Sequence, residues 1–199
     1  MGQFALPRPG QPFVAISPAT ESRLNSLDRS SLIQLYQDHG ALLLRGFAAD
    51  LDEFSQFARS LCRTAVVNET PGRSSLDAAR AVYSVDGGTN AFALHPELSR
   101  EPWKPDAAMF CCLSPPSAGG ATTICDGIAL AAALPPHIRA GLEGRRLIYL
   151  KVAWPEQLRF WLGTDAPDDD LLRFPPPQCP YRFARLPDGR VARYFTRPA

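Results

Sequence analysis

His95-Pro96-Glu97 constrains this chain more than any other stretch, because an imidazole and a carboxylate two residues apart can serve one ion only if the backbone presents both. In an extended segment, residues i and i+2 point the same way, which brings His95 and Glu97 to a common point. Such a pair supplies two of the three protein ligands of the facial triad that holds Fe(II). A second, distant His completes the face, and the remaining positions stay open for O₂ and a chelating co-substrate. An isolated H-x-E is a short pattern, and a His beside apolar residues is equally well explained as a hydrogen-bonded core or surface residue. The weight comes from the neighbouring segments.

Phe92-Ala-Leu-His95-Pro-Glu97-Leu is followed in order by Cys111-Cys-Leu-Ser-Pro-Pro116, Gly119-Gly-Ala-Thr122 and Asp126, and it is preceded by Gly40-Ala-Leu-Leu-Leu-Arg45-Gly46-Phe47. With these residues in this order, the chain resembles the TauD/TfdA-like Fe(II)/2-oxoglutarate-dependent dioxygenases from about residue 30 to its C-terminus. The resemblance implies a mainly β fold with flanking helices, the double-stranded β-helix or jelly roll. It implies His95 and Glu97 as iron ligands. It also implies that the Thr122 hydroxyl donates to the 2-oxoglutarate carboxylate, although a strand Thr chosen for β-branching explains Thr122 as well as Thr123.

The activity implied is oxidative decarboxylation of 2-oxoglutarate to succinate and CO₂, which takes one atom of O₂, coupled to oxidation of a substrate C–H bond by an iron species that carries the other. Glu97 narrows this further, because the halogenases of the wider superfamily replace the carboxylate by a small residue, so an acid here favours hydroxylation or desaturation. The segment from Leu147 to Phe195, with Trp154, Trp161, Thr164, Asp165, Asp188 and Gly189, is similar to the natural-product branch of the family. That branch oxidises amino acids, some of them tethered to a carrier protein, and links the chain to antibiotic biosynthesis.

The chain departs from the family pattern in its third ligand. It has three His, and neither His39 nor His137 stands where the distal His would fall. His39 precedes Gly40 at an expected helix end, where the helix dipole explains it; His137 follows Pro135-Pro136 on an expected helix surface. The Arg that would pair with the far carboxylate of 2-oxoglutarate falls beyond Arg193 and Arg197. The expectation is therefore a jelly roll lacking its C-terminal strands, which binds iron weakly by itself. A truncated, non-catalytic member, or one subunit of a split enzyme acting as a binding module, is the competing expectation.

Composition bounds the rest. With 199 residues, of which 45% are hydrophobic, the chain can build a real core. A net charge of +1 without long like-charged runs favours a small-molecule substrate over nucleic acid or an anionic membrane. No stretch suits a membrane helix and the N-terminus lacks a signal-peptide pattern, so a cytoplasmic location is expected. Five Cys without C-x-x-C spacing suggest neither a disulfide framework nor a zinc ribbon, and Cys111-Cys112 is expected as a buried pair in a strand.

Along the chain, residues 1–27 are Pro-rich and expected as an N-terminal extension, with residues 28–199 forming the front and central part of a single dioxygenase domain. Asp28 and Asp50 are N-cap candidates for helices running to His39 and from Leu51 to Cys62, with strand Ala41–Leu44 between them. Thr64–Thr89 is polar and Gly-rich apart from Ala81–Val85, a candidate substrate lid offering Asn68, Glu69 and Arg73 as polar contacts; a solvated loop face explains these three equally well. Strands are expected at Met109–Leu113, Ala121–Cys125 and Leu147–Val152, helices after Asp126 and Pro136, and a hairpin about Asp188-Gly189.

Overall fold

Asp28 sets the first long helix, α1 (Arg29–His39), by accepting the Ser31 N–H at 2.8 Å. At the other end Gly40 takes φ 76°, a left-handed conformation costly for other residues, and its N–H reaches the Tyr36 carbonyl at 2.7 Å. Asp50 repeats the N-terminal device for α2 (Leu51–Leu61), accepting the Glu53 N–H at 2.8 Å, and Cys62 is its C-cap. These boundaries agree with the sequence expectation to within a residue because capping is local chemistry.

The computed structural model describes residues 2–20, 22–66, 73–77, 81–85 and 93–198. The chain divides into two units, one of Met1–His95 with Asp106–Ala132, the other of Pro96–Pro105 with Ala133–Ala199. In the first, β1 (Gln3–Ala5) pairs antiparallel with β2 (Val14–Ser17), which pairs parallel with β3 (Leu42–Leu44). Parallel neighbours need a crossover, and α1 supplies it. Val14, Ile16, Leu24, Leu32 and Phe57 form the buried centre, with Leu35, Leu42, Leu44, Phe47 and Leu61 packed against it. Residues of the stretch expected as an N-terminal extension thus contribute to this core. Val14, Ile16 and Leu24 are core residues, and burying each side chain contributes about 1.5–3 kcal/mol relative to exposure.

Of the expected lid, β4 (Ser75–Asp77) and β5 (Val82–Tyr83) form a short antiparallel ribbon with an irregular register. Asn68 and Glu69 lie outside the described residues. The strands expected at Met109–Leu113 and Ala121–Cys125 are not formed. A strand needs a neighbour to take its backbone N–H and C=O groups, and among the described residues none pairs with either segment. Phe110, Leu113 and Ile124 are consequently exposed. Cys112 is exposed and Cys111 only half-buried, so the pair is not the core element expected; partial burial raises the Cys111 thiol above its ordinary pKa, with the neighbouring Cys112 adding to the shift. Between the two segments, Gly120 has φ 69°, and a Cβ there would lie 2.6 Å from Pro116 Cγ. Asp126 then caps α3 (Gly127–Ala132), its Oδ1 accepting from Ile128 N and Ala129 N at 2.9 and 3.1 Å.

The second unit contains α4 (Pro136–Leu142), β6 (Arg146–Val152), α5 (Pro155–Leu162), α6 (Asp169–Arg173), β7 (Arg182–Arg185) and β8 (Val191–Pro198). Its sheet is antiparallel in the order β6-β8-β7, with Asp188-Gly189 turning the expected hairpin. Tyr181, Phe183, Phe195, Leu158, Leu162 and Leu172 form its core, against which Trp103, Tyr149 and Trp161 pack. Trp103, Trp161 and Tyr181 meet with centroids 5.7–6.1 Å apart, within the range of favourable aromatic pairs. Among the described residues, β structure is thus distributed over three small sheets, with helices beside them.

Phe57→Ala removes a buried ring from the first core and is expected to destabilise by about 3–5 kcal/mol, read from the midpoint of urea unfolding. Phe4→Ala, at a half-exposed ring, should shift it far less; equal shifts would contradict the assigned core. The hydrogen bonds from Ser31 hold the Asp28 carboxyl below the ordinary carboxylate range. A lowered folded-state pKa means stabilisation above the unfolded pKa, lost as pH falls through the folded one. Wild type should therefore exceed Asp28→Asn in melting temperature at neutral pH, with the gap closing in acid; a gap that widened in acid would contradict the assignment.

Candidate functional site

Pro96 favours an extended conformation at His95, since its ring crowds the residue before it. The His95 imidazole is exposed, and its Nδ1 lies 2.8 Å from the Ala93 carbonyl oxygen. A carbonyl can only accept, so Nδ1 carries the hydrogen in this bond. Metal-binding imidazoles are oriented in just this manner, by donating the other ring N–H to a carbonyl or carboxylate.

Glu97 opens a turn through Arg100 rather than continuing a strand. Ser99 N–H reaches the Pro96 carbonyl at 3.1 Å and Glu101 N–H the Leu98 carbonyl at 3.0 Å. Leu98 takes φ 49°, an uncommon left-handed conformation for a side chain branched beyond Cβ. The shared strand face expected for His95 and Glu97 is therefore not formed, because the chain turns at Glu97. The two residues also belong to different units, so each is placed within its own. Glu97 is half-buried, and its carboxylate has no hydrogen-bond or ion-pair partner among the described residues.

Thr122 lies exposed in the unpaired segment after Gly120, and its hydroxyl makes no hydrogen bond among the described residues. His39 ends α1 and His137 lies exposed in the first turn of α4. Among the described residues, no three His, Cys, Asp or Glu side chains are grouped to hold a metal ion. The donors fit an iron site in part: the His95 ring is engaged through Nδ1, Glu97 has a carboxylate without a hydrogen-bond or ion-pair partner among the described residues, and the third ligand is not supplied by His39 or His137. Arg73, the remaining polar residue of the expected lid, is half-buried just before β4.

Sequence reasoning missed the charged centre of the second unit. Glu101, 8% exposed, receives the Lys151 Nζ at 2.6 Å and the Tyr181 hydroxyl at 2.5 Å, and Arg193 approaches to 3.5 Å. Arg197 donates to the Glu101 backbone carbonyl at 2.5 Å. Burial pushes the carboxyl pKa up, but hydrogen bonds from Lys151 and Tyr181 and the Arg193 charge outweigh it, leaving a net downward shift. One signal was available: Arg193, Phe195 and Arg197 alternate along one face of a strand, and cations inside a core need a carboxylate.

Residues of the tail that resemble the natural-product branch have structural uses here. Trp161 is packed into the aromatic cluster, Thr164 Oγ accepts from Ala166 N at 3.2 Å, and Asp165 pairs with Arg159. A hollow of about 350 Å³ lies over Asp169, Arg173, Arg182 and Tyr194, and an apolar groove of about 510 Å³ is lined by Phe4, Ile16, Leu27 and Leu35. Neither includes His95, Glu97 or Thr122.

The profile of the Taurine catabolism dioxygenase TauD, TfdA family matches residues 7–196. No curated protein and no solved structure matches the chain. Among the described residues, no helix is long and apolar enough to cross a membrane. The family match runs from the start of the first unit almost to the end of the second, and takes in Arg45-Gly46-Phe47, His95-Pro96-Glu97 and Gly119-Gly-Ala-Thr122. The chain therefore belongs to the Taurine catabolism dioxygenase TauD, TfdA family, whose members are typically Fe(II)- and 2-oxoglutarate-dependent dioxygenases.

Proposed function

We propose that this chain is an Fe(II)- and 2-oxoglutarate-dependent oxygenase that hydroxylates or desaturates a small molecule, an amino acid either free or tethered to a carrier protein, in natural-product biosynthesis in the cytoplasm. The observation that carries the reading is His95, whose Nδ1 is engaged by the Ala93 carbonyl, in the H-x-E segment of a chain matched by this family. His95 and Glu97 would hold the metal, with the third imidazole supplied by a His other than His39 and His137. When bound, iron with 2-oxoglutarate supplies the activation of O₂ that oxidation of an unactivated C–H bond requires. The chain's own residues orient and discriminate. The Ala93 carbonyl engages the His95 ring, the Glu97 carboxylate would serve as a ligand and so leave no place for chloride, and the Thr122 hydroxyl would donate to the co-substrate carboxylate.

A second reading is favoured by one observation, that no three donors are grouped among the described residues. On that reading the chain is a non-catalytic family member, or one subunit of a split enzyme whose missing His arrives from another polypeptide.

Co(II) titration followed by visible absorption separates these readings. The 199-residue chain should bind weakly and turn over 2-oxoglutarate to succinate poorly, while His95→Ala and Glu97→Ala should each lower Co(II) affinity by about tenfold or more. Unchanged affinity in both variants would remove the ligand assignment and favour the non-catalytic reading; robust succinate formation by the wild-type chain would mean that His39 or His137 is recruited. In an enzyme complemented with the third ligand, Glu97→Ala should abolish hydroxylation and Glu97→Asp should retain part of it. A chlorinated product from wild type given chloride, O₂ and substrate would overturn the role given to Glu97.

A further inference from the structure

Glu101 has more bonding than a turn residue needs. Its carboxylate is buried beside Lys151, Tyr181 and Arg193, and its backbone carbonyl is held by Arg197, so one residue joins the 96–105 segment to β6, to β8 and to Tyr181 just ahead of β7. Immediately before it, Ser99 N–H and Glu101 N–H close the turn onto the Pro96 and Leu98 carbonyls. Between those two bonds the backbone from Pro96 to Glu101 includes a left-handed Leu98, a conformation retained only when its surroundings over-determine it. Two residues beyond Glu101, Trp103 packs on Trp161 and Tyr181. The turn that carries Glu97 is therefore gripped at its C-terminal end by the sheet and left without a side-chain partner at Glu97 itself.

We propose that Glu101 is a positioning residue for Glu97: through its contacts with Lys151, Tyr181, Arg193 and Arg197 it locks the 97–101 turn on the β6-β8-β7 sheet and so fixes where the Glu97 carboxylate is presented to the metal. This rests on the proposed iron site for the role of Glu97, and on the second unit alone for the anchoring. The chemistry suits a hinge-free mount. A carboxylate bonded to an ammonium and a phenol inside a core has two directional charge-assisted bonds, which hold an orientation better than apolar packing does. Removing it outright would leave the buried Arg193, and Lys151 opposite it, without their counter-charge, a destabilising change. Tyr181→Phe is the gentler probe, since it keeps the ring against Trp103 and Trp161 and deletes only the hydroxyl that meets Glu101.

The experiment uses the full chain in four forms: wild type, Glu101→Gln, Tyr181→Phe, and Phe57→Leu as a variant destabilised in the other unit. Three quantities are read: hydrogen exchange at the amides of residues 99 and 101, Co(II) affinity with the visible spectrum of bound Co(II), and melting temperature. Glu101→Gln and Tyr181→Phe should accelerate exchange at both amides, weaken Co(II) by about tenfold, as changes behind a metal ligand do, and alter the Co(II) spectrum. Phe57→Leu should lower the melting temperature and leave exchange at residues 99 and 101 and the Co(II) spectrum as in wild type. Should the two sheet-side variants melt lower yet bind Co(II) with wild-type affinity and spectrum, Glu101 is merely structural and the inference is overturned while the metal site stands. Should wild type bind Co(II) no better than Glu97→Ala, the metal site itself fails and the positioning role falls with it, whatever the exchange rates. Unchanged exchange at residues 99 and 101 in Tyr181→Phe and Glu101→Gln would overturn the anchoring directly.

Discussion

Glu101 brings a charge into a core, which is unfavourable unless the charge is answered in place. Here it is answered by Lys151, the Tyr181 hydroxyl and Arg193, while Arg197 takes the carbonyl of the same residue. The order of the second unit follows from this. Lys151 lies opposite Arg193 in the β6–β8 register, so two cations point to the same face, and Arg193 sits 4.4 Å over the Tyr181 ring. Without the carboxylate those two cations would face each other with no counter-charge between them. With it, the 96–105 segment is bound to the sheet, Trp103 enters the aromatic cluster, and the turn from Glu97 to Arg100 receives a fixed end.

What was legible in the sequence was local. Asp28, Gly40, Asp50 and Asp126 act on backbone groups within four residues of themselves, and each does what its residue type and position suggest. The Asp188-Gly189 hairpin is of the same kind, as Gly189 N–H returns to the Leu186 carbonyl. The Glu101 cluster was not legible because it depends on strand pairing that sets residues 50 to 96 positions apart beside one another. The role of residues 1–27 was hidden for a related reason: Val14 and Ile16 look unremarkable among prolines until β3 pairs beside them. Cys111-Cys112 and the runs around them illustrate the converse. Their apolar pattern specifies burial, but a pattern cannot supply the neighbouring strand, so Phe110, Leu113 and Ile124 remain exposed.

The same division runs through the candidate site. His95 is oriented by the carbonyl of Ala93, two residues away, so the choice of ring nitrogen is written into a short piece of chain. Thr122 follows a Gly-Gly turn in which a Cβ at Gly120 would collide with Pro116, again a local requirement. Glu97 differs, because its carboxylate has no hydrogen-bond or ion-pair partner among the described residues and its backbone is held from the far side of the turn. Its position is inherited from Glu101 and hence from the sheet.

That asymmetry bears on how such a site tolerates change. An imidazole oriented by its own backbone keeps its tautomer through substitutions elsewhere in the fold, whereas a carboxylate placed by a distant buried cluster moves when that cluster moves. On the proposed iron site, ligand identity at His95 would therefore rest on local geometry, and placement of Glu97 would be exposed to core mutations. A substitution at Tyr181 or Lys151, far along the sequence from Glu97, meets the 97–101 turn at Glu101. The His95 ring, by contrast, is held by a bond to the Ala93 carbonyl two residues away in its own segment.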